Sequence, residues 1–161
     1  MFFMKLLPAL FVVAALVAVS PIAKAQFPSP SEEHQVLSQE SGEWDAEVTM
    51  FMGTEGPYET PQKSKAKESN RMIGGFWLVG DFKGDFEGVP LIGHAQFGYD
   101  PQKKVYFGTW VDSFTPTITK MVGTYDKKTK TMTYDTTGTG MDGNPSKGKN
   151  IVVYGDDTRI M

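Results

Sequence analysis

The chain contains no cysteine, which excludes disulfides, thiol chemistry, cysteine-ligated metals and a lipidated amino-terminal cysteine. It has no apolar run of the ~20 residues that a bilayer-spanning helix needs; the stretch from Leu6 to Val19 falls short. G-x-S-x-G, H-E-x-x-H, P-loop and Rossmann glycine patterns are all missing, and no Ser/His/Asp set assembles from the sequence. Long amphipathic helical patterning is also missing, so parallel strands joined by crossover helices are not expected. What remains is a chain that holds itself together by burial alone.

Lys5 precedes the apolar run, and Ala23-Lys24-Ala25 follows it before Gln26. A charged start, a short apolar stretch and an A-x-A site describe a secretory leader over residues 1–25. The mature protein is expected to begin at Gln26 and to be secreted or periplasmic, with no membrane span after cleavage. An uncleaved anchor is the alternative, and the shortness of the run argues against it. Residues 26–161 suit one domain, since a chain near this size buries roughly two thirds of the surface it exposes unfolded. Losing Lys5 and Lys24 leaves 14 basic against 19 acidic side chains, a balance of -5. That argues against nucleic acid or an anionic membrane as partner.

Residues 26–41 read as an extended FPSPS segment and a short helix over Ser31 to Leu37, with Ser31 as cap, Glu32 and Glu33 in the first turn, and His34 facing solvent. Residues 42–161 read as strand and turn. Trp44, Ala46, Val48, Met50 and Met52 alternate with polar residues, the period of two that a half-buried strand requires. Further strands are expected over 63–73, 76–84, 90–99, 104–112, 117–125, 131–137 and 148–154. The fold class is all-β, an antiparallel up-and-down barrel.

Tyr99-Asp100 and Tyr125-Asp126 open similar turns, each with a Lys five residues after the Tyr. Two strands and two turns separate them, so both belong to one end of the meander, with Gly74-Gly75 and the turn after Tyr154. Connections at the other end, Gly53 to Gln62, Asp85 to Pro90, Ser113 to Pro116 and Gly138 to Lys147, look longer. A cup with one stitched rim and one loose rim is expected, and loose loops are where binding residues gather. Arg159-Ile160-Met161 would begin a ninth strand, yet the sequence stops there and leaves the eighth without an obvious partner; the chain reads as lacking its last strand or strands. The alternative is closure between the first and eighth strands.

Gly42-Glu43-Trp44 at the start of the first strand is similar to the G-x-W signature of lipocalins and their calycin relatives. With Asn70 to Phe76, Gly98-Tyr99-Asp100, Thr109 to Asp112 and Gly123 to Asp126, the chain over roughly residues 31–159 resembles the bacterial exported family known as domain of unknown function 1579. The resemblance implies a calycin-like barrel, no settled biochemical role, and one or two further strands beyond Arg159. More distant haem-binding relatives of the nitrobindin type hold iron with a late histidine, which would fall in that further part.

Candidate binding residues follow from facing. Lys63, Lys65, Lys67 and Arg71 prefer water, so Glu68 and Asn70 point inward. They serve either as polar contacts for a ligand or as an internal hydrogen-bond network. Tyr106, Gly108, Trp110 and Asp112 share a face: Trp110 and Asp112 either grip an amphipathic ligand, or fill core and start a turn. His94 has no readable facing, and a single His without neighbouring ligands is poor support for a metal or haem. The seven methionines beyond the leader suit packing better than Cu(I). Gly42, Trp44, Gly74, Gly75, Tyr99, Asp100, Tyr125 and Asp126 are assigned structural roles, Trp44 as a plug. No cofactor or metal is expected, and no catalytic residue is assigned. The expected partner is a small apolar or amphipathic molecule; an enzyme using Glu68, His94 or Asp112 and an envelope interaction module are the alternatives.

Overall fold

The computed structural model describes residues 27–50, 62–86, 88–140 and 142–161. The leader over 1–25, Met52 and the Gly53 to Gln62 connection expected from the sequence lie outside the described residues, except for Gln62, which begins a strand. One short helix, α1 (Glu32–Ser38), precedes nine strands: β1 (Gly42–Met50), β2 (Gln62–Ile73), β3 (Trp77–Phe86), β4 (Val89–Asp100), β5 (Val105–Asp112), β6 (Thr119–Asp126), β7 (Thr131–Thr139), β8 (Pro145–Tyr154) and β9 (Arg159–Ile160). They form a single antiparallel sheet in sequence order, curled into a half-barrel.

The period of two fixes which side chains line the concave face. Leu78 and Gly80 are buried and Phe82 half-buried, whereas Asp81 and Lys83 are exposed. Register carries this face across the sheet through Glu68↔Phe82, Gly80↔Ala95 and Ala95↔Trp110. The opposite face of β1 and β2 is charged, with Asp45↔Lys67 and Glu47↔Lys65 as cross-strand partners. A one-residue slip would turn this charged set into the core, so the pattern specifies register.

One rim is stitched by turns over residues 74–76, 101–104, 127–130 and 155–158. Asp100 Oδ1 accepts the Gln102 and Lys103 amides at 2.9 and 3.0 Å, and Asp126 Oδ1 accepts the Lys128 amide at 2.8 Å. Each of these two turns closes on a lysine in the left-handed region, Lys104 at φ 57° and Lys130 at φ 50°. That explains the shared Tyr-Asp to Lys spacing: Asp supplies the turn's acceptor and Lys its last corner.

The other rim departs from expectation in two places. β3 and β4 stay paired through Asp85↔Pro90 and Phe86↔Val89, so that connection is a tight hairpin closed by Asp85 Oδ1 accepting the Gly88 amide at 2.7 Å. β8 begins at Pro145, because Thr139↔Pro145 and Gly138↔Ser146 extend its ladder with β7. The ninth strand expected to begin at Arg159 forms as β9 and pairs with the last two residues of β8 through Val153↔Ile160 and Tyr154↔Arg159.

Helix α1 lies across the stitched end. Its Val36 and Leu37 join Leu78, Tyr106, Met121, Met132, Tyr134, Val152 and Tyr154 in the core. His34, expected in solvent, is buried there instead. Its Nδ1 accepts the Ser31 backbone amide at 3.1 Å as part of the helix cap, and its ring meets Phe76 and Tyr99 edge-on at 5.2 and 5.7 Å. The first turn faces the sheet, and sequence periodicity over seven residues does not reveal that.

Candidate functional site

Two groups of the expected residues face inward, at opposite ends of the cup. At the stitched end, Arg159 of β9 reaches across the open seam of the sheet. Its Nη1 donates to Glu40 Oε2 at 2.8 Å, its Nη2 donates to Glu68 Oε2, and its guanidinium stands 5.1 Å from the Trp44 ring centroid. Asn70 Nδ2 donates to Glu68 Oε1 at 3.1 Å, and the Tyr154 hydroxyl donates to Glu40 Oε1 at 2.5 Å. The Trp44 indole N–H donates to the Glu40 carbonyl at 2.9 Å, so the plug is tied to the same corner.

Glu68 and Asn70 thus belong to an internal network that joins β9 to β2 and the residues before β1. Arg159 and Glu40 side chains are each only 6% exposed. Burial lifts the Glu40 carboxyl above the usual carboxylate range; hydrogen bonds from Tyr154 and Arg159 oppose this, and the Glu68 charge adds to it. Burial also drives the Tyr154 hydroxyl far up, with Glu40 beside it, so Tyr154 stays a donor. Glu40, Tyr154 and Arg159 were not among the sequence candidates. Glu40 sits in the link before β1 and Arg159 just after a turn, and neither position belongs to an alternating run long enough to show its facing.

At the other end Trp110 and Phe82 line the concave face. Trp110 crosses over Gly93, where an added Cβ would stand 2.1 Å from the indole Cη2, and it meets Phe82 edge-on at 5.9 Å. Its N–H donates to Asp112 Oδ2 at 2.7 Å, while Asp112 Oδ1 accepts the Phe114 and Thr115 amides at 2.8 and 2.9 Å. Asp112 therefore starts the turn and also fixes the indole. Trp110 and Phe82 remain half-buried, beside Ala46, Val48 and buried Ala66; across the cup, β6 to β8 present Thr119, Thr136 and Asn150. The Asn150 Oδ1 and the Tyr134 hydroxyl are buried and without a hydrogen-bond partner among the described residues, and burial holds Tyr134 protonated.

His94 lies on the convex face, its Nδ1 2.8 Å from Asp81 Oδ1, both side chains largely exposed. Register decides this: its neighbours Gly93 and Ala95 are the buried ones. The structural glycines sit where side chains are disfavoured, Gly42 at φ 127° opening β1 and Gly74 and Gly75 at φ 60° and 73° in the turn before β3. Tyr125 packs edge-on to Tyr154 at 5.9 Å, and Tyr99 leans on Tyr106 with the rings inclined at 53° and their centroids 5.0 Å apart. Among the described residues no group of three or more His, Asp or Glu stands where it could hold a metal ion, and no helix is long and apolar enough to cross a membrane.

No curated protein and no solved structure matches the chain. A family model does match, over residues 29–161, and its stretch takes in α1, β1 to β9, the seam network and the Trp110 end of the concave face. The chain belongs to the family described as Protein of unknown function (DUF1579).

Proposed function

We propose that this protein binds a small apolar or amphipathic molecule on its concave face, at the end away from α1. One observation carries the proposal: the Trp110 and Phe82 rings, joined edge-on, are half-exposed on the concave face. Ligand sites are typically apolar walls with a few placed polar groups. Here the apolar wall runs from Ala46 to Trp110, and Thr119, Thr136 and the unpaired Asn150 Oδ1 supply the polar side. The ligand's apolar part lies on the aromatic pair and its polar part faces the hydroxyls. The site works outside the cytoplasm if the leader over residues 1–25 is removed, for which a purified protein beginning at Gln26 is the check.

Native mass spectrometry of protein isolated from its own cells, with a fluorescent fatty acid titrated in parallel, tests the proposal. A co-purified small molecule is expected, along with saturable probe binding that Trp110→Ala weakens by about tenfold or more, the scale of losing a ring's buried area. Protein that carries nothing and binds no probe, or a variant that binds as well as the parent, would remove this function.

A further inference from the structure

A second concavity lies outside the cup, at the stitched end, where residues 28–31 pass over the turn between β2 and β3. Its volume is about 300 Å³, and Pro28, His34, Phe76, Trp77, Tyr99 and Pro101 line it. It is independent of the concave face proposed above.

Its walls are held in place by the protein itself. Trp77 lies over Gly98, where a Cβ would come within 2.9 Å of the indole, and Phe107 meets it edge-on at 5.5 Å; yet Trp77 is 42% exposed. His34 is fixed between Phe76 and Tyr99 by its cap hydrogen bond. Pro30 seats on Gly75, where a Cβ would approach its Cγ to 2.8 Å, so the amino-terminal segment has a defined resting place.

The chemistry of the lining is selective. Aromatic rings predominate, and the Ser31 hydroxyl is already engaged, at 2.6 Å from Glu33 Oε2 and 2.9 Å from His34 Nδ1. Ser29 and Tyr99 carry the cleft's other side-chain hydroxyls, so a ligand rich in N–H or O–H groups would meet few acceptors there. The field is negative: besides burial, the charges acting on the Tyr99 hydroxyl are Glu33 and Asp100, and both raise it. Asp100 has Lys103 at 3.2 Å, whereas among the described residues Glu33 makes no ion pair; its carboxylate is held low first by the Ser31 hydroxyl and then, from further off, by Lys127 and His34. Aromatic faces and a carboxylate without an ion pair favour a cation, and a cation without N–H groups needs no hydrogen bonds.

We infer that this cleft binds a small organic cation of the quaternary ammonium class, its methyl groups against Trp77, Phe76 and Tyr99 and its charge offset by Glu33. Calorimetric titration of the full chain with choline, and with its uncharged isostere in which a tert-butyl group replaces trimethylammonium, tests this. Choline is expected to bind saturably, the isostere roughly tenfold more weakly or worse, as cation–π attraction is lost. Trp77→Ala is expected to abolish binding, and Glu33→Gln, which keeps an acceptor for the Ser31 hydroxyl, to weaken it severalfold. Absence of saturable choline binding, equal binding of the isostere, or full binding by both variants would overturn the inference. Choline is not a fatty probe, so this outcome is separate from that of the concave-face test.

Discussion

Single residues on the inner face divide into large side chains and the glycines they lie across. Gly123 receives Tyr134, and a Cβ there would stand 2.1 Å from the Thr133 carbonyl oxygen, which is backbone and cannot turn aside. Gly148 has only the Thr136 hydroxyl, at 3.2 Å from where its Cβ would be. Gly123→Ala is therefore expected to cost about 1–3 kcal/mol as an overpacked site, while Gly148→Ala stays within about 0.5 kcal/mol of the parent; urea denaturation of the two variants measures the contrast. The sequence shows these glycines at inward positions, as Gly80 sits between Leu78 and Phe82. It does not show which ring from a neighbouring strand covers each. His34 marks the same boundary: its type and place in the first turn are legible, and its burial depends on Phe76 and Tyr99 from distant strands.

The strands themselves follow the alternating pattern closely, and the misjudged ends have local causes. Asp85 to Pro90 reads as a loop because of Gly88 and Pro90, but Pro90 sits in a ladder that continues to Val89. The seam is the feature of this scale that the sequence hides. Among the described residues β1 and β9 are joined by no backbone ladder, and side chains bridge them instead. Arg159→Met leaves Glu40 and Glu68 facing each other without their cation, and breaking a buried pair in this way typically costs about 3–5 kcal/mol. Adding Glu40→Gln and Glu68→Gln is expected to recover much of that loss, since the uncompensated charges go with them. Thermal unfolding of the single and triple variants would separate a charge effect from the loss of Arg159 packing on Trp44, which the triple variant does not restore. The exposed Lys67–Asp45 pair, at 2.6 Å, contributes little by comparison and serves register.

For the whole molecule, opposing groups of carboxylates set the response to pH. Glu40 is raised by burial, so its contribution to stability is complete below the usual carboxylate range and is lost as pH climbs through its folded value. Asp45, lowered by Lys67, and Asp100 and Asp142, lowered by turn hydrogen bonds, contribute above the usual range and lose this as pH falls through their folded values. The melting temperature is expected to rise as pH drops from neutral toward the ordinary carboxylate range, then to fall below it. In Glu40→Gln the rise disappears and the acid-side fall remains; an unaltered rise would show that another group controls it. Helix α1 shapes the molecule at the same scale: Leu37 is 0% exposed at the stitched end, where it joins Val36 in the core of the sheet.

The sequence by itself determined the strands, their antiparallel order, the turns of the stitched rim and the inward facing of Glu68, Asn70 and Trp110, because a period of two and a turn's Asp are local properties of neighbouring residues. Only the tertiary structure decided that Glu68 answers to Arg159, that His94 faces out while His34 is buried, and that an aromatic cleft forms beside Trp77. Each of those depends on side chains brought together from distant positions by register and curl, and no short stretch of chain contains both partners.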